Sequence, residues 1–113
     1  MAQQYKIAIP TNEGVFIRQR FMGSRAFLVT TVEEGKIIDQ ELRWNLLSEK
    51  LISKYGTYYN LFDCALVIVN DIDQCHERML KDKKIKILNT KEPLITKVFK
   101  DYLTNIPEYS EIK

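Results

Sequence analysis

The longest uninterrupted apolar run in the chain is Cys64-Ala65-Leu66-Val67-Ile68-Val69. A strand with one wet face would interleave polar residues, so this run predicts a strand covered on both sides, as in the middle of a parallel sheet. It breaks at Asn70-Asp71-Ile72-Asp73, a polar turn. Beyond the turn, Ile72, Cys75, His76, Met79, Leu80 and Lys83 recur at helical spacing, with Asp71 and Gln74 placed as a capping box and Arg78, Lys81 and Asp82 facing outward. The turn therefore sits at a strand's carboxyl end, where open α/β sheets bind their ligands.

Weaker patterns frame this centre. Residues 5–9 alternate and predict a short first strand, stopped by Pro10 because proline removes a ladder donor, with Thr11-Asn12-Glu13-Gly14 as a turn. Residues 15–25 form a loop in which Arg18, Arg20 and Arg25 are interleaved with Phe16, Ile17, Phe21 and Met22. Residues 27–33 are rich in β-branched side chains, Glu34-Gly35 is a tight turn, and residues 36–44 return as the second arm of a hairpin. In that arm Ile38, Leu42 and Trp44 should face inward and Asp39, Glu41 and Arg43 outward, with Gln40 the odd polar residue on the inner side.

Ser48 can cap a helix that carries Leu51, Ile52 and Tyr55 inward and ends close to Asn60. Residues 85–88 read as a short strand. Thr90 can cap a last helix with Pro93 in its first turn and Ile95, Val98, Phe99, Tyr102, Leu103 and Ile106 on its buried face, ended by Pro107. The elements predict a single α/β domain over residues 1–107, a five-stranded mixed sheet flanked by three helices, and a frayed tail at residues 108–113.

Composition adds mainly exclusions. The 113 residues suffice for one core, and a formal charge of only +2 makes no general case for nucleic acid or an anionic membrane. No apolar run approaches the ~20 residues of a membrane helix, and the first residues lack the apolar centre of a signal peptide, so a cytoplasmic protein is expected. Cys64 and Cys75 have no paired spacing, and with the single His76 they cannot complete a tetrahedral zinc site unaided.

Candidate chemistry gathers near the polar turn. Cys75 and His76 fall in a first helical turn, where the helix dipole favours a thiolate and a thiolate–imidazole pair could ligate iron; both also lie on the apolar stripe and could simply pack there. Arg18, Arg20 and Arg25 could clamp an anion through guanidinium forks, or remain a solvated loop. Lys81, Lys83, Lys84 and Lys86 suit a wet sheet edge. Two-metal nuclease chemistry needs converging carboxylates; residues 5–9 supply none, and Asp71 and Asp73 are helix-cap candidates. No serine–histidine–acid set, phosphate loop or dinucleotide fingerprint occurs, so no enzyme is expected.

Four segments, Lys6-Ile7-Ala8-Ile9-Pro10-Thr11-Asn12-Glu13-Gly14, Arg20-Phe21-Met22-Gly23-Ser24-Arg25-Ala26-Phe27, Val32-Glu33-Glu34-Gly35-Lys36-Ile37 and Asp63-Cys64-Ala65-Leu66-Val67-Ile68, occur in an order and spacing that resembles the dinitrogenase iron-molybdenum cofactor biosynthesis family. That family includes carriers of the NifX type. The resemblance implies a ribonuclease-H-like three-layer fold with sheet order 3-2-1-4-5 and the second strand antiparallel. It also implies a non-enzymatic carrier of an iron-sulfur or iron-molybdenum cofactor precursor, serving nitrogen fixation alongside cofactor-assembly or nitrogenase-related proteins. Where the family usually carries a histidine before phenylalanine and glycine, this chain has Arg20 before Phe21 and Met22. The alternative is a protein-interaction or regulatory module on the same fold, with no cofactor. The candidate cofactor contacts are Asn12, Arg18, Arg20, Arg25, Asn70 and Asp71, and the candidate metal ligands are Cys75 and His76.

Overall fold

The computed structural model describes residues 4–21, 24–44, 61 and 63–104. Its strands are β1 (Gln4–Thr11), β2 (Ala26–Glu33), β3 (Lys36–Trp44), β4 (Leu66–Val69) and β5 (Lys86–Asn89), and its helices are α1 (Gln74–Asp82) and α2 (Ile95–Thr104). They form one five-stranded sheet in the order β3-β2-β1-β4-β5. β1 runs antiparallel to β2 and parallel to β4, and β4 runs parallel to β5. The α/β class, strand order and antiparallel second strand are those expected. The predicted third helix and the tail at residues 108–113 fall outside the described residues.

Alternation along the strands divides the core into two layers. Ala8, Phe27, Val29, Val67 and Val69 face Leu80 of α1, together with Phe21, Leu61 and Ile85. Ile7, Ile9, Val32, Leu66 and Ile68 face Ile95, Val98, Phe99 and Tyr102 of α2. β4 is buried at every position because it supplies both layers, as its unbroken apolar run requires. Each fully buried side chain of this size contributes about 1.5–3 kcal/mol relative to exposure.

β1 extends further than the pattern predicted. Pro10 lies within it, opposite Phe27 on β2, and Thr11 opposite Ala26. The Pro10 carbonyl accepts from the Arg18 amide at 2.7 Å, on the side away from β2. A strand residue directs its N–H and C=O the same way, so the donor that proline lacks falls outside the β1–β2 ladder.

The hairpin turns at Glu34 and Gly35, both with positive φ (52° and 78°), the conformation of a two-residue primed turn. A register shift near Thr31 and Val32 leaves Ile38 as the extra residue between Asp39, which opposes Thr31, and Ile37, which opposes Val32. Ile37, Ile38 and Trp44 are exposed, in place of the buried inner face expected for Ile38 and Trp44. Alternation identified which residues share a face, but the α2 core is built on β1, β2, β4 and β5. On the other face, the Arg43 guanidinium grips Asp63 with two bonds of 2.7 and 2.8 Å and also reaches Glu41 at 2.9 Å, tying β3 to the approach to β4.

α1 ends without glycine. The Ile85 amide donates to the Leu80 carbonyl and the Lys84 amide to that of Lys81, each at 2.9 Å, while Lys84 takes the left-handed conformation at φ 63°. This is a Schellman stop with lysine where glycine is usual, and buried Leu80 and Ile85 are its hydrophobic pair. The strand predicted at residues 85–88 accordingly begins one residue later. At α2, Pro93 lies before the helix instead of in its first turn; its carbonyl accepts from the Ile17 amide at 2.8 Å, which ties the segment before α2 to the loop after β1.

Candidate functional site

The carboxyl ends of β1, β4 and β5 share one rim because the three strands are parallel. At the end of β1 the Thr11 hydroxyl donates to the Phe16 carbonyl at 2.7 Å and accepts from the Gly14 amide at 2.8 Å. Gly14 has φ 94°, which a side-chain-bearing residue would strain to adopt. The Glu13 carboxylate caps the Phe16 amide at 2.9 Å, and Ile17 then bridges back to Thr11. The Ile95 amide donates to the Val15 carbonyl at 3.0 Å, so this turn is fixed to the start of α2.

The chain next crosses to β4. Arg20 forms a parallel bridge with Asp71, and the Phe21 amide donates to the Asp71 carbonyl at 3.0 Å. Phe21 is fully buried, its ring centre 5.5 Å from that of Phe27 and 5.3 Å from that of His76. The Ser24 hydroxyl closes the segment by donating to the Phe21 carbonyl at 2.7 Å. The arginine-bearing loop and the entry to α1 are thus joined by backbone bonds and by an aromatic contact.

Arg18 is held in place: Nε donates to the Arg20 carbonyl and Nη1 to Asn12 Oδ1, each at 3.1 Å. Arg20 and Arg25 are exposed. Among the described residues none of these three arginines forms an ion pair. Arg25 precedes Ala26, which opposes both Thr11 and Trp44, so it lies on the same rim. Asn70 uses its amide group to tie the exit of β5, donating to the Thr90 carbonyl at 2.8 Å and to that of Glu92 at 3.3 Å.

The α1 cap is Asp73, not the predicted Asp71–Gln74 box. Asp73 Oδ2 accepts from the His76 amide at 3.0 Å, and both carboxylate oxygens lie 2.8 Å from His76 Nδ1. Burial disfavours the charged carboxylate here, but the bonds from the His76 ring and amide outweigh it and hold Asp73 below the usual range. His76 is 9% exposed, whereas Cys75 is exposed. Successive helical residues point about 100° apart, so the two do not share the apolar stripe as expected. Cys64 is buried in the α1 layer, and its thiol is pushed up to about 12, chiefly by burial.

Asp73 stands in the sequence beside Asp71 as a second cap candidate, and an aspartate three residues before a histidine at a helix start is the signal that selects it. Phe21 is marked in the sequence by its apolarity and its place in the segment Arg20 to Phe27, but its contacts come from distant segments.

A sheet in the order β3-β2-β1-β4-β5, covered by α1 on one face and α2 on the other, places the chain among the mixed-sheet α/β proteins. Within that class, the chain belongs to the dinitrogenase iron-molybdenum cofactor family, whose pattern it matches over residues 3–105. No curated protein matches it in sequence. Among solved structures it is similar to a candidate dinitrogenase from Methanocaldococcus jannaschii, at 16% identity and a TM-score of 0.71 over 90% of each chain. It is also similar to a candidate NifB protein from Thermotoga, at 16% identity and a TM-score of 0.65 over 88% of this chain and 87% of that one. At such identity these two structures show the shared fold. No helix among the described residues is long and apolar enough to cross a membrane.

Proposed function

We propose that the protein is a non-enzymatic carrier that holds an iron-sulfur or iron-molybdenum cofactor precursor at the rim between residues 18–25 and residues 70–76. The observation that carries this reading is the pairing of Arg20 and Phe21 with Asp71, which makes one continuous surface from the cationic loop to the start of α1. Arg18, Arg20 and Arg25 would meet the anionic outside of the cargo, with Asn12 orienting Arg18, and with Asn70 and Asp71 forming the opposite lip. Capture and handover need no bond-making residue. The partners would be cofactor-assembly or nitrogenase-related proteins, a reading supported by family membership.

Anaerobic titration with a cluster precursor tests this proposal. Charge-transfer absorbance bound stoichiometrically to the protein is expected, and an unchanged spectrum would remove the carrier reading. The exposed apolar side chains Val15, Phe16 and Trp44 favour a second reading, an interaction or regulatory module. Anaerobic pull-down from the native host separates the two: a stable partner without iron supports the second, bound iron the first.

A further inference from the structure

We infer that the rim selects its cargo as an anion, through guanidinium contacts to the cargo's outer oxygen or sulfur atoms, and that protein ligation of the metal adds little to the binding. This inference rests on the carrier reading above.

Three guanidinium groups on one loop have no ion-pair partner among the described residues, so their donors are open to an anion entering the rim. Glu13, Asp71 and Asp73 lie on the same rim and keep their charge, although the Val15 and Phe16 amides occupy Glu13 and the His76 amide and ring occupy Asp73. The arginines therefore act through directed donors at short range.

Arg18 is oriented by the Arg20 carbonyl through Nε and by Asn12 through Nη1, and its Nη2 has no protein partner among the described residues. A guanidinium fixed at two points presents its remaining donors at a smaller entropic cost than a free side chain.

Cys75 and His76 diverge, the His76 Nδ1 is already bonded to Asp73, and Cys64 lies in the core. Among the described residues no three histidine, cysteine or acidic groups converge on a point where a metal could sit. A cluster would therefore be gripped from outside.

Calorimetry and amide-resolved NMR on the full chain, without oxygen, test the idea with three probes: tetrathiomolybdate, citrate and ferrous ion alone. Tetrathiomolybdate and citrate should bind, shift the Phe21 and Asp71 amides, and weaken steeply with salt. Arg18→Ala and Arg20→Ala should each weaken them about tenfold or more, Arg20→Lys less, and Cys75→Ser hardly at all. Ferrous ion alone should bind weakly. Anion binding that is absent, or that leaves Phe21 and Asp71 unmoved, would overturn the inference. Cluster uptake that is insensitive to both arginine substitutions and lost in Cys75→Ser would overturn it while leaving the carrier reading intact. Citrate binding at the rim without uptake of any cluster would uphold the anion site and refute the carrier. Arg20 is exposed and Arg18 half-buried outside the core, so thermal melts of the variants should stay close to the parent and exclude misfolding.

Discussion

Phe21 and His76 meet in a tilted ring contact across the join between two loops, their ring centres 5.3 Å apart and their planes inclined by 57°. This contact couples the cationic loop to the first turn of α1. Phe21→Ala should therefore cost about 3–5 kcal/mol of unfolding free energy, the range for a fully buried phenylalanine. Phe21→Leu should cost less. Urea denaturation followed by circular dichroism measures both, and an exposed residue's loss of a few tenths would contradict the packing described.

Stability should fall in acid through two aspartates. The Arg43 hydrogen bond holds Asp63 below the ordinary 3.8, and the His76 bonds hold Asp73 below it against burial. A carboxyl depressed in the folded state stabilises fully above its unfolded pKa and loses that contribution as pH falls through the folded one. Unfolding free energy should thus be flat from neutrality to about pH 5 and decline below about pH 4. Asp73→Asn and Asp63→Asn should each flatten that decline. Melts between pH 2 and pH 7 provide the check.

The two thiols should differ sharply in reactivity. Cys75 is exposed, whereas Cys64 is buried and remains protonated well above neutrality, and only a thiolate attacks. An aromatic disulfide reagent at pH 8 should label Cys75 quickly in the native protein and Cys64 only on unfolding. Rapid labelling of both without denaturant would contradict the buried position of Cys64.

Lys84 should yield stability to glycine. It holds φ 63° at the stop of α1, where a side chain costs about 1 kcal/mol, so Lys84→Gly should raise unfolding free energy by roughly 0.5–1 kcal/mol. Glu34→Asn, at φ 52° in the hairpin turn, should act in the same direction. Thermal melts give both answers.

These cases show what the sequence could reveal. The run at residues 64–69, the Glu34-Gly35 turn and the crossovers between parallel strands follow from local patterns, and together with the family resemblance they gave the sheet order. The end of β1 did not, because whether Pro10 interrupts a ladder depends on which side its missing donor faces. The choice of Asp73 over Asp71 as cap was hidden by two aspartates in one turn. The stop at Lys84 had no glycine to announce it. At the rim, the arginines were visible as a cluster, but their backbone union with Asp71 joins residues about 50 positions apart, which periodicity cannot express.

The loop carrying Arg20 and the entry to α1 should act as one receiving surface. Amide chemical-shift mapping during anaerobic addition of a cluster precursor tests it most directly. Concerted shifts of Arg20, Phe21, Asp71 and His76 at a single saturating stoichiometry are the predicted result; shifts confined to one of the two segments, or centred on β3 or β5, would contradict it.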